Sequence, residues 1–211
     1  MMEKLEYARF VKMLEEAASA ISAAKDELTE LDCKIGDGDH GTTMVKVMEQ
    51  VKETAAGYEG RDFKGLLSAI GAAVLNMGGG ATVPLFGSLF SGMGRATPDG
   101  ASELTKDELA CALKSGEARL LKFSKAPLGA KTLVDALTPA VQTFAAFPGT
   151  DIAAAFEAAR LAAHEGCMKT MDYVATFGRA KYMGEEALGV PDPGSVSVSI
   201  IFKAFAKAAN D

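Results

Sequence analysis

Apolar positions recur at helical spacing along almost the whole chain. In the first segment Phe10, Leu14, Ala17, Ile21, Ala24 and Leu28 alternate steps of four and three, which lays one apolar stripe along a long helix. A second segment opens on Thr105 with Glu108 three residues on, the pair that forms a capping box. Its stripe runs Leu109, Leu113, Gly116, Leu120 and Phe123. A third begins at Thr150 and places Ile152, Phe156, Ala159 and Ala163 on one face. Shorter helical patterns cover 41–56, 63–77, 83–95, 132–147 and 195–209, giving about eight helices joined by loops rich in glycine and proline. The alternation Val196-Ser197-Val198-Ser199-Ile200 would suit a strand. Ile200, Ala204 and Ala208 nevertheless continue at helical spacing, and no second strand pattern exists to pair with it. The reading is all-α: antiparallel helices packed closely through Ala and Gly contacts.

Length changes this picture little. The 211 residues, without repeats or linker-like tracts, suit one domain spanning 1–211. Charge narrows the partners: a net charge of -6 with no basic cluster argues against nucleic acid. The N-terminus lacks the apolar region of a signal peptide, and no run approaches a membrane span. Cys33, Cys111 and Cys167 are too few and too scattered for a disulfide framework or a zinc cluster. The expectation is a cytoplasmic protein, with Cys33 a small buried hydrophobe and Met93, Met168, Met171 and Met183 adaptable core filling.

Chemistry concentrates in four inter-helix loops. Asp32, Asp37 and Asp39 fall within eight residues, interleaved with Gly36 and Gly38 and followed by His40 and Gly41. Carboxylates this close repel one another, and Asp32 would sit at the negative end of a helix dipole. A hard divalent cation offsets that cost, and Mg²⁺ in particular is shared between one or two carboxylates and substrate phosphates. Gly41-Thr42-Thr43 then starts a helix, whose free N–H groups suit an anion. An Asx turn would explain one Asp-Gly pair, but not three acids beside a helix start. The calcium-loop pattern fails at Gly41 and Met48. His40 by itself would more often read as structural; its position beside Asp39 makes it a candidate for an anion or ribose contact.

The second loop, Gly78-Gly79-Gly80-Ala81-Thr82-Val83-Pro84, permits close backbone approach to a ligand or simply breaks a helix. The third, Gly129-Ala130-Lys131-Thr132, offers Lys131 and Thr132 either to phosphate or to a helix cap. The fourth comprises Gly178-Arg179-Ala180 and Asp192-Pro193-Gly194, where Arg179 could neutralise phosphate charge or stand in solvent.

In order along nearly the whole chain, these loops, with Lys131-Thr132-Leu133-Val134-Asp135-Ala136-Leu137, resemble the L subunit (the nucleotide-binding subunit) of dihydroxyacetone kinase. The resemblance implies an eight-helix antiparallel up-and-down barrel with ADP or ATP and two Mg²⁺ ions at one end. Asp32, Asp37 and Asp39 would ligate magnesium and Arg179 would balance the transferring phosphoryl group. His40, Gly41, Thr42, Thr43, Gly79, Gly80, Ala81, Thr82, Ser124, Leu133, Arg179, Asp192, Pro193 and Gly194 would line the nucleotide. It further implies a separate K-type subunit holding the ketose and an M-type phosphoryl donor protein fed by the phosphotransferase system. The alternatives are an ATP-dependent two-chain kinase, or a nucleotide-sensing module without turnover. Homodimer formation is left open. Four departures from the family pattern stand out: Thr82-Val83 for Ser-Gly, Ala130 for Asp, Phe177 for Lys and Ser124 for Gly.

Overall fold

In a computed structural model describing residues 1–211, nine α-helices carry the chain: α1 (Tyr7–Ala23), α2 (Lys25–Ile35), α3 (His40–Gly57), α4 (Phe63–Leu75), α5 (Thr82–Ala96), α6 (Lys106–Ser124), α7 (Val134–Ala146), α8 (Ile152–Lys169) and α9 (Pro193–Asn210). The expected first helix is broken once. Ala24 takes φ -92 and ψ 6, its N–H reaching both Ala20 O and Ile21 O, so the α-helical ladder stops and α2 restarts it. Both pieces lie between α3 and α9, and together they form one stave of an eight-stave barrel in which each remaining helix packs on the next.

The staves run alternately up and down. Every second connection therefore lies at the same end: 36–39, 76–81, 125–133 and 170–192, the four loops picked out by their chemistry. At the opposite end the chain makes a feature the sequence pattern hid. Residues β1 (Lys4–Glu6) and β2 (Glu103–Thr105) pair antiparallel, with Leu5 opposite Leu104 and both fully buried. Three residues per strand are too few to show a period. The capping box at Thr105 forms as expected, whereas α8 is capped by Asp151, one residue past Thr150, through Ala153 N and Ala154 N.

The two ends of the barrel are filled differently. Phe10, Phe63, Phe144, Phe156 and Phe205 meet at the strand end, with ring centroids 4.7 to 6.4 Å apart in successive pairs. Such offset and edge-on contacts add about 0.5–1.5 kcal/mol per pair beyond burial. The loop end holds no comparable plug. One apolar cluster of 51 residues draws on every helix, so no stave can be removed without opening it. Helices α5 and α6 cross closely: a methyl on Gly92 would lie 2.6 Å from Ser115 O, and one on Gly116 2.8 Å from Leu89 O.

Three sequence readings need correction. Cys33 is exposed, because α2 turns Leu28, Asp32 and Ile35 inward and Cys33 away. Phe123, the last member of its stripe, is 53% exposed beyond the end of the core. Of the methionines Met93 is buried, but Met168 and Met183 stand exposed near the loop end. No helix is long and apolar enough to cross a membrane.

Candidate functional site

A cleft of about 360 Å³ opens at the loop end, lined from all four loops. Its acidic side is built by α2, its loop and the start of α3. Asp32, buried on the inner face of α2, accepts Asp39 N–H at 2.9 Å and His40 N–H at 3.0 Å through Oδ2. One carboxylate thus folds the acidic loop back and caps α3, bringing Asp32, Asp37 and Asp39 together with ligand oxygens within 4.8 Å of one another. The donor set is all-oxygen and anionic, which fits a hard divalent cation such as magnesium.

The only cationic partner of these acids is Arg179, whose guanidinium is 2.9 Å from Asp37 Oδ2. Both side chains are well exposed, 63% and 36%, so the pair is worth at most about 1 kcal/mol and exchanges readily for another anion.

His40 is buried and bonded through Nε2 to Ser197 Oγ at 2.9 Å, while Ser197 gives its own proton to Pro193 O. That network makes Nε2 the donor and leaves Nδ1 an acceptor. Burial holds the imidazole below its ordinary pKa, against the opposing pull of Asp32 and Asp39, so it is neutral at pH 7. Gly41 follows at a close crossing: a methyl there would lie 2.2 Å from Lys25 O and 2.3 Å from Thr29 Oγ1. Of the first amides of α3, those of His40 and Thr43 are bonded to Asp32 and Asp39, leaving Gly41 and Thr42 free as at any helix start.

The rest of the cleft is mostly helix N-termini. Gly80, Ala81 and Thr82 begin α5 with no side-chain cap, Leu133 precedes α7, and Pro193 and Gly194 open α9. Asp192 caps α9 by accepting Ser195 N–H at 2.7 Å. Burial raises its carboxyl to about 7. Ser124 closes α6 beside exposed Phe123. Of the sequence-selected residues, Gly41, Thr42 and Gly79 lie outside the lining, the first against α2 and the other two exposed.

Two residues acquire roles the spacing did not reveal. Asp135, buried, accepts Gly129 N–H and Thr132 N–H at 2.7 Å from the latter, and so shapes the third loop. Lys131 neither caps α7 nor presents its ammonium freely. It is 1% exposed and donates to Thr170 O and to Val190 O, the latter at 2.6 Å. The only sequence signal was their place on either side of Thr132. Exposed apolar side chains lie at this end of the barrel: Phe123 in the cleft lining, and Leu128, Val174, Tyr182 and Leu188 in the loops that form the end.

Comparison with known proteins agrees with this geometry. The family model described as the DAK2 domain matches residues 34–207. The chain is 32% identical over 205 residues to the ADP-binding subunit DhaL of a PEP-dependent dihydroxyacetone kinase from Escherichia coli K12, covering 96% of this chain and 97% of that one. It is 36% identical over 198 residues to a second such subunit, from Listeria innocua, covering 92% and 90%. The solved dihydroxyacetone kinase of C. freundii in complex with AMP-PNP and Mg²⁺ superposes with a TM-score of 0.74 at 26% identity. That match covers 93% of this chain and only 33% of the longer one.

Proposed function

The chain belongs to the DAK2-domain family of dihydroxyacetone kinase subunits, which are phosphotransferases, and from that premise we propose that it binds magnesium and ADP in the loop-end cleft and donates phosphoryl to a short ketose held on a separate K-type subunit. A phosphotransferase-system M-type protein recharges the nucleotide in place. The domain spans 1–211 and works in the cytoplasm.

One observation carries the reading: three carboxylates converge within 4.8 Å, beside a helix start and opposite a weakly engaged arginine. The residues fit the group they would hold. Asp32, Asp37 and Asp39 would hold magnesium, which when bound neutralises phosphate charge and fixes the orientation of the transferring group. Asp32 supplies the rigid member, since its carboxylate is already locked onto two backbone amides. Arg179 leaves Asp37 for a phosphoryl oxygen, exchanging an exposed ion pair for charge-assisted hydrogen bonds. Thr82, with its own N–H and that of Ala81 unbonded before Pro84, receives phosphate oxygens, and neutral His40 offers Nδ1 as an acceptor. A partner covering the mouth, with exposed Phe123 at its edge, would exclude water and so favour transfer over hydrolysis.

Supply by a phosphoprotein is favoured over nucleotide exchange because the relatives matched over about nine-tenths or more of their own lengths are PEP-dependent. To test this, the purified protein is denatured and the released nucleotide identified by chromatography. Near-stoichiometric ADP is the expected result. An empty protein that binds Mg-ATP reversibly would replace the donor, and one that binds neither nucleotide with magnesium would end the kinase reading.

A further inference from the structure

The connection from α8 to α9 is the longest in the molecule, and it carries Arg179. It contains three 3-10 turns, Thr170–Asp172, Ala180–Tyr182 and Gly184–Ala187, and leaves and re-enters the barrel at a narrow neck. Gly189 N–H donates to Met171 O at 2.8 Å, and Asp192 N–H to Thr170 Oγ1 at 2.9 Å. Between the two sides sits Lys131, whose ammonium donates to Thr170 O on one side and Val190 O on the other. Beyond the neck, Ala175, Ala180 and Ala187 pack on Ile35, the last residue of α2 before the acidic loop.

Lys131 is an expensive choice for this place. It is 1% exposed, its backbone adopts the left-handed φ of 61, and no carboxylate lies within ion-pair distance of its ammonium. Asp192, Asp172 and Asp135 act on it only from beyond that distance, and a buried cation so loosely paired costs stability unless its hydrogen bonds are well met. An ammonium offers three donors, and two of them here join carbonyls 20 residues apart in the chain. No apolar residue could make that connection, since two carbonyl oxygens repel without a donor between them.

We propose that Lys131 is a positioning residue: by pinning Thr170 to Val190 it fixes the base of the 171–191 excursion and so holds Arg179 over the acidic loop. Although Lys131 stands in the cleft wall, its ammonium is turned to the two carbonyls, and it acts through Arg179. This inference rests on the magnesium–nucleotide reading of the cleft only where binding is measured, because the excursion's order can be read without ligand.

The test is calorimetric titration of Mg-ATP into nucleotide-stripped protein for the wild type, Lys131→Met, Arg179→Ala and the double variant. Loss of a charge-assisted hydrogen bond in Arg179→Ala weakens binding about tenfold or more. Lys131→Met is expected to weaken it comparably, and the double variant to fall within about twofold of Arg179→Ala alone, since both changes remove one contact. Multiplying effects, or wild-type affinity in Lys131→Met, would overturn the proposal, because a merely stabilising lysine would not couple to Arg179. Hydrogen exchange of the same proteins without ligand should show faster exchange in 171–191 for Lys131→Met and little change elsewhere. If that variant fails to fold, exchange in the wild type decides: the amides of Gly189 and Asp192 must be protected well above those of 177–183. Equal rates would mean that no pin exists. If the wild type binds no Mg-ATP, the kinase reading fails, while the exchange comparison still decides the role of Lys131.

Discussion

The three carboxylates of the cleft are assigned the same ligand but have different structural roles, and removing them one at a time should separate the two. In Asp32→Ala, the N–H groups of Asp39 and His40 lose their acceptor at a largely buried position. Hydrogen bonds to a charged acceptor contribute about 1.5–3 kcal/mol each, but relief of repulsion from Asp37 and Asp39 offsets part of that. The net loss expected in EDTA is about 2–3 kcal/mol, or about 4–12 °C in Tm for a domain of this size. Asp37→Ala removes only the exposed pair with Arg179, so its cost in EDTA stays under about 1 kcal/mol, with the same relief of repulsion. Magnesium with ADP should then stabilise the wild type by about 2.7 kcal/mol at a hundred times Kd, and neither variant appreciably. Urea unfolding in EDTA and in Mg-ADP reads all six values. Equal losses for the two variants in EDTA would refute the capping role of Asp32, and a full Mg-ADP gain in Asp37→Ala would refute its place at the metal.

Two further outcomes test the frame around the site. Gly41→Ala forces a methyl to within 2.2 Å of Lys25 O and should cost about 1–3 kcal/mol in urea unfolding, whereas Gly57→Ala meets nothing within 4 Å and should be neutral or mildly stabilising; similar effects would mean α2 and α3 do not cross closely. Hydrogen bonds from Tyr58 OH and Gly65 N–H hold the Asp62 carboxyl below its ordinary value, so its contribution is complete above about pH 4 and is lost as pH falls through the lower folded value. Asp62→Asn should therefore narrow the stability difference between pH 5 and pH 3, and an unchanged difference would count against the assignment.

Much of this was legible because a barrel of alternating helices obeys two simple periods. The 3.6-residue stripe located the staves, and the up-and-down alternation brought together loops whose chemistry had been noted separately. What escaped notice lacked a period. The break at Ala24 has no proline or glycine to announce it, and Leu5 and Leu104 pair across too short a ribbon to show alternation. Within the site, Asp32, Asp37 and Asp39 were visible because three like charges at close spacing demand a reason. Lys131 was not, since a lysine beside a threonine suggests phosphate, and only the fold shows its ammonium turned to Thr170 O and Val190 O. Cys33 was misplaced because burial depends on which face of α2 meets the barrel, and its neighbour Asp32 took the inner position.

The alternation of the staves also governs how the chain can be tethered. Helix α9 starts at the cleft and runs 18 residues away from it, about 27 Å at 1.5 Å per residue, and β1 lies at that same far end. A tag, dye or surface linkage at Met1 or Asp211 therefore leaves the cleft mouth open. A flexible tether from either terminus needs about 25 residues before its r.m.s. reach matches the length of the barrel. Shorter tethers hold their cargo at the wrong pole, so the local concentration of anything attached rises at the mouth only when the linker passes that length.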